Sequence, residues 1–273
     1  MTIRKLRRLI DAIHAPVYFA TEPLENYLAL GLKGYWRGYF GSRAAALGEP
    51  SAKLVTSLFG GFAPSLVSHI VPDVWSIAPS SDILKARHEG ALTALHRLVD
   101  GVVNTEQVAV AAQLTGQVVA ELTYECRPLA AAHADLPRPE NDPLAALWYD
   151  CTVLREYRGD SHLLALVNAD LVWPDAHLIS TREHGTDDSL RTVRGWSVEE
   201  WAAAKDRLEQ RGLWQTDAAA ELVEAVEQHT DQLTAPAFAE VDQQLLATLL
   251  KPIAIAAFTN VPFPNPMGLR PPS

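Results

Sequence analysis

Two-residue alternation of apolar and polar side chains is almost absent from this chain, whereas apolar residues three and four positions apart recur along it. A half-buried strand reads with period two, and a helix brings i, i+3, i+4 and i+7 to one face. The pattern therefore predicts a mainly α fold. Leu84, Ala91/Leu92, Leu95 and Leu98/Val99 mark one helix. Val108, Ala111/Ala112, Val118/Val119 and Leu122 mark another, with Asn104 as its N-cap and Gln107 three residues on. Ser197-Val-Glu-Glu200 is a capping box that opens a helix through Arg211, with Trp201, Ala204 and Leu208 on one face.

A further helix is predicted from Leu144 to about Tyr157, with Leu144, Leu147/Trp148, Cys151 and Leu154 as its apolar stripe. Arg158-Gly159-Asp160 is expected to end it. Gly159 can supply the left-handed geometry of a helix terminus, and Asp160 can cap a following helix, Ser161 to Asn168. Ile3, Leu6, Leu9/Ile10 and Ile13 form a short basic amphipathic helix, expected at the surface; Asp11 and His14 interrupt any signal-peptide core. The uncharged run Leu54 to Pro72 reaches membrane-spanning length but contains Gly60-Gly61, Pro64 and His69, and so reads as a buried helix–turn–helix with no membrane span.

Pro128, Pro137, Pro139 and Pro143 make Arg127 to Pro143 the best linker candidate. It divides the chain into a helical N-terminal domain, 1–140, and a C-terminal domain, 141–273, which ends in a Pro-rich, extended or turn-rich tail from Pro262. Charge is distributed unevenly. Residues 150–235 hold 8 basic and 17 acidic side chains, which is −9 of the chain's net −10. An acidic chain repels polyanions. Two cysteines, Cys126 and Cys151, are too few for a disulfide framework and fit a reducing cytoplasm.

Arg155, Glu156, Arg158, Asp160 and His162 place five titratable side chains within eight positions. Two guanidinium groups can clamp a carboxylate or phosphate, with His162 beside them in its titration range; the same residues can equally lock a helix corner. Gly31, Gly34, Gly38 and Gly41, on a helix predicted from Glu25 to about Arg43, fall within an arc of about 80°. Four helical glycines cost about 3–4 kcal/mol relative to alanine, so either another helix or a flat ligand must approach that face. Tyr39 and Arg43, at i and i+4, can address the same ligand. His14 lies in a segment expected to be irregular and able to line a pocket. His69 is a core histidine or a haem or metal ligand, and His177 and His184 flank charged loop residues. No metal-ligand spacing, nucleophile elbow, P-loop or dinucleotide fingerprint occurs, and no cofactor class is indicated.

At Leu154-Arg155-Glu156-Tyr157-Arg158-Gly159-Asp160-Ser161-His162, and at Arg194-Gly195-Trp196-Ser197…Glu200-Trp201…Leu208…Arg211-Gly212-Leu213, the chain resembles the SalK-like, helix-turn-helix-related proteins of actinobacteria. Tyr39-Phe40…Arg43-Ala44-Ala45…Leu47-Gly48 extends the resemblance into the first half. More distantly, the arrangement resembles the winged helix of MarR-type regulators. It implies a winged-helix-like C-terminal half with Gly212-Leu213-Trp214 leading into the wing; Asp217-Ala-Ala-Ala-Glu221 stands where the family's Leu-Thr-x-x-Gly opening would follow.

The helix equivalent to a DNA-reading helix would be Ser197–Arg211, and its first turn offers Glu199 and Glu200. Phosphate contacts supply most non-specific affinity, so this face disfavours DNA. Arg182, Arg191 and Arg194 keep a basic surface on a homodimer open. The expectation is a small-molecule-binding or enzyme-like protein whose halves pack around Tyr39, Arg43, Arg155 and His162. The alternatives are a ligand-responsive regulator and a structural or interaction protein.

Overall fold

The computed structural model describes residues 3–180, 188–263, 265 and 267–272. Every regular element among them is helical: α1 (Ile3–His14), α2 (Pro16–Phe19), α3 (Thr21–Ala29), α4 (Tyr35–Ala44), α5 (Ala52–Phe59), α6 (Pro64–Ile77), α7 (Ser80–Val99), α8 (Thr105–Ala120), α9 (Pro128–Ala134), α10 (Pro143–Asn168), α11 (Asp175–Ser180), α12 (Asp188–Val193), α13 (Val198–Gln210), α14 (Asp217–Thr234) and α15 (Gln243–Phe258). Short 3₁₀ turns follow α4 and α14.

The axis of the fold is α10, 26 residues and so about 39 Å long. Asp142 caps its first turn through the Leu144 and Ala145 amides, and 17 of its residues are buried. Helices α8, α9, α1 and α14 pack along it, and α15 returns to cover α1 and α8. One large core joins residues from Leu6 to Val261. A smaller cluster, with Leu166, Leu171, Ile179, Ala204, Leu208 and Val226 among its members, forms where the end of α10 meets α11, α13 and α14. The two clusters are linked at the Gly60-Gly61 turn. The Gly61 carbonyl accepts hydrogen bonds from His177 Nε2 (2.8 Å) and Trp196 Nε1 (2.9 Å), and the Arg194 carbonyl accepts one from the Ala63 amide (2.9 Å).

Several sequence expectations hold. Asn104 caps α8 through the Glu106 amide. The capping box at Ser197 and Glu200 is complete, and the run 54–72 is helix–turn–helix, α5 and α6. No single helix among the described residues is long and apolar enough to cross a membrane.

Others are corrected. The chain does not break at Arg158-Gly159-Asp160: Gly159 keeps helical geometry inside α10, and the Asp160 carboxylate serves the start of α9 instead of capping a helix that follows it. The four glycines do not share one helix. Gly31 and Gly34, at φ +89° and +84°, turn the chain between α3 and α4. Gly38 and Gly41 do allow close approach, but to protein: added Cβ atoms would lie 2.7 Å from Tyr27 Cδ2 and from Val74 Cγ1.

The basic helix α1 is not merely a surface element, since Leu6, Leu9, Ile10 and Ile13 are buried beneath α15 and α10. His14 ends α1 and is followed at once by α2, so its surroundings are regular. His69 is exposed on α6. The segment expected to follow a wing opens α14, and the described residues contain no strand. The linker candidate holds α9. Met267 and Leu269 of the tail pack on the main core, with Asn265 Oδ1 accepting from both their amides. Arg182 and His184 lie outside the described residues.

Candidate functional site

Helix α4 places Tyr39 and Arg43 one turn apart, and α10 presents Glu156 to them. Arg43 donates from Nε and Nη2 to the two carboxylate oxygens of Glu156, at 3.0 and 2.7 Å. Arg155 Nη1 adds a third donor to Oε1 at 2.6 Å, and Arg43 Nη1 reaches the Tyr39 hydroxyl at 3.5 Å. Burial alone would raise the Glu156 carboxyl, but Arg155 and then Arg43 outweigh it and hold it well below the usual carboxylate range. The Arg43 guanidinium also lies 4.2 Å over the Phe59 ring, within an aromatic cluster of Tyr18, Tyr35, Trp36, Tyr39, Phe40 and Phe62.

Tyr39, Arg43, Arg155 and Glu156 are thus brought together, and three further candidates lie elsewhere. Asp160 accepts from the Leu129 and Ala130 amides (both 3.0 Å) at the α9 N-terminus, and burial pushes its carboxyl up to about 6. Arg158 Nη2 donates to Glu227 on α14 (2.7 Å), which also accepts from Arg7 Nη1 (3.0 Å). His162 Nδ1 lies 3.1 Å from Thr230 Oγ1. That hydroxyl spends its proton on the Val226 carbonyl, so His162 is the donor. Burial, then Arg158, lowers His162 to about 4. His162 lines a polar groove of about 640 Å³ whose charged members Arg4, Arg7, Glu224 and Glu227 pair with one another.

The arrangement best suited to a ligand is one that sequence reasoning missed. A cavity of about 320 Å³ opens between α7, α9 and α10, with Leu84, Leu136, Pro137, Pro139 and Val153 forming apolar walls. Arg87, His133 and Trp148 also line it, and each is at most 3% exposed. Among the described residues Arg87 has no carboxylate partner. Its Nη1 reaches Ser42 Oγ and its Nη2 reaches His14 Nε2, both at 3.5 Å. His14 can accept there because its Nδ1 donates to Thr152 Oγ1 (3.1 Å), whose own proton goes to the Trp148 carbonyl.

His133 Nε2 and Trp148 Nε1 are buried without any hydrogen-bond partner. Such atoms cost free energy unless something satisfies them. Burial, then Arg87, lowers His133 to about 4, so its imidazole is neutral at neutral pH. His88, half-buried at the mouth, is lowered by the same two causes, and Lys85 and Glu89 lie together at the rim. The sequence did carry one signal for Arg87: it shares a helical face with Ile83, Gly90, Ala91 and Ala94, a charge on an apolar stripe.

On α13, Glu200 is engaged in the capping box and Glu199 is exposed. Arg207 pairs with Asp175. Lys205 pairs with Glu209 (3.6 Å) and lies over Trp214. Arg211 reaches the Asp170 carbonyl (2.7 Å). Arg191 pairs with Asp188 (3.3 Å), and the Arg194 guanidinium lies 4.3 Å over Phe62.

Curated proteins and solved structures give no match to the chain. A family model does match, described as a helix-turn-helix family, and it covers residues 3–264. With nearly the whole all-helical fold inside that match, the protein belongs to this helix-turn-helix family.

Proposed function

We propose that the protein is a small-molecule-binding, enzyme-like member of the SalK-like group, serving specialised metabolism, in which the helix-turn-helix portion is a scaffold. The observation that carries this reading is the cavity between α7, α9 and α10: apolar walls around Arg87, His133 and Trp148, with two buried polar atoms lacking partners. A ligand site of this kind is concave and mostly apolar, with a few converging polar groups. The lining comes from both sides of residue 140, so a site between the two halves remains the reading, centred on residues other than those first expected. Two free cysteines, one of them exposed, accord with a reducing compartment.

Native mass spectrometry of the purified protein tests the proposal. A copurifying small molecule, lost when Leu136→Trp fills the cavity from its rim, is the expected result. Absence of any adduct, together with no saturable binding of small organic probes, would sink it.

Family membership favours a second reading, a ligand-responsive regulator. Against it stand Glu199 in the first turn of α13 and basic side chains already held by Asp175, Glu209 and Asp170. A regulator binds DNA from its own upstream region with affinity that falls steeply with salt. Retention of that DNA at low salt would overturn the scaffold reading.

A further inference from the structure

We infer that the cavity between α7, α9 and α10 takes an apolar organic monoanion, its carboxylate held at the inner end by Arg87 and its hydrocarbon body against the proline and leucine walls. This rests on the proposal that the cavity is a ligand site and adds the chemical class of the ligand.

Charge is the first argument. Arg43, Arg87 and Arg155 are all largely buried, and Glu156 is shared by Arg43 and Arg155. Asp160 nearby is committed to the α9 amides. Arg87 is left with two neutral acceptors at 3.5 Å and the ring faces of Tyr18 and Trp148 at 5.7 and 5.6 Å, none of which carries a counter-charge. A buried cation without a counter-charge is costly, and an anion entering the cavity supplies that charge where the protein does not. A planar carboxylate matches the guanidinium fork.

Donor chemistry is the second argument. Trp148 Nε1 can only donate, and it is buried at the same cavity without an acceptor. A carboxylate oxygen meets that need. A cationic ligand would face Arg87 and gain nothing from Trp148. Shape is the third. Leu84, Leu136, Pro137, Pro139 and Val153 offer no polar atoms to a sugar or nucleotide body, and 320 Å³ holds a fused bicyclic or medium-chain skeleton.

The test uses paired probes that differ only in charge: 2-naphthoate against 2-naphthamide, and decanoate against decanamide, titrated calorimetrically into the full chain. Each acid is expected to bind at least tenfold more tightly than its amide. In Arg87→Met the two become equal, and in Leu136→Trp both are lost. Equal affinity of acid and amide for the wild type overturns the anion inference and leaves the cavity reading standing. Binding of neither overturns both. Acid binding that survives Leu136→Trp places the site elsewhere and overturns the assignment. Should Arg87→Met fail to fold, the wild-type acid-to-amide ratio and Leu136→Trp decide the matter alone.

Discussion

Arg43 and Glu156, 113 positions apart, form a two-point ion pair at 3.0 and 2.7 Å with Glu156 wholly buried. This pair fastens α4 to the middle of α10 and, through Arg155, gathers three charges into one apolar setting. Removing one partner of such a pair strands the others. Glu156→Gln should therefore cost about 3–5 kcal/mol and lower the thermal midpoint by roughly 10 °C. The double variant Arg43→Met/Glu156→Leu should recover part of that loss, because less charge stays buried unpaired. Calorimetric melting of the three proteins checks this; an unshifted midpoint for Glu156→Gln would refute it.

Asp160 couples α10 to α9 at an energetic cost that depends on pH. Its carboxyl is raised to about 6 in the folded protein by burial, so its contribution to stability is full below about 3.8 and lost as pH rises through about 6. Asp160→Asn keeps an acceptor for the Leu129 and Ala130 amides without the charge. It should be neutral or stabilising at pH 7, whereas Asp160→Ala should lose about 0.5–2 kcal/mol of capping. Urea midpoints at pH 7 and pH 5 separate the two.

Three histidines act in the opposite direction. Burial lowers His133 and His162 to about 4 and His177 to about 3. Their contribution is present above the unfolded value of about 6.5 and is lost as pH falls through the folded values, at about 1.4 kcal/mol per pH unit for each. Stability should thus decline below pH 6.5, opposed in part by Asp160. His177→Gln retains a donor for the Gly61 carbonyl and should flatten the decline by one proton's worth. An unchanged slope in a urea series from pH 7 to pH 5 would contradict this.

Gly41 lets α4 approach α6, and an added Cβ would meet Val74 Cγ1 at 2.7 Å. Gly41→Ala should destabilise by about 1–3 kcal/mol through overpacking. Gly41→Ala/Val74→Ala should lose less than the sum of the single changes, since both alter the same space. Denaturation of the four proteins in that cycle measures the coupling.

Local features were legible because they depend on neighbours in sequence. The caps at Asn104 and Ser197 and the apolar stripes of α7, α8 and α13 follow from spacing alone. Boundaries failed where a distant partner decided them. Gly159 reads as a terminator, yet α10 runs through it, and Asp160 finds its amides on α9, some thirty residues earlier, rather than in a helix that follows it. Among the site candidates, Tyr39 and Arg43 at i and i+4 do share a buried cluster with Arg155 and Glu156. Arg158 and His162 fall to another side of α10, where α14 supplies Glu227 and Thr230.

What the sequence by itself determined was a helical chain, its helix caps at Asn104 and Ser197, and an excess of negative charge concentrated in residues 150–235. Those properties are set by residues within a few turns of one another or by simple sums. Only the tertiary structure decided that Arg4 and Arg7 of the basic first helix neutralise acidic residues of α14. It alone brought Arg87, His133 and Trp148 from three helices to one cavity. Burial, and with it the cost of an unpaired guanidinium or an unsatisfied indole, is a property of what packs around a side chain, and no spacing along the chain records it.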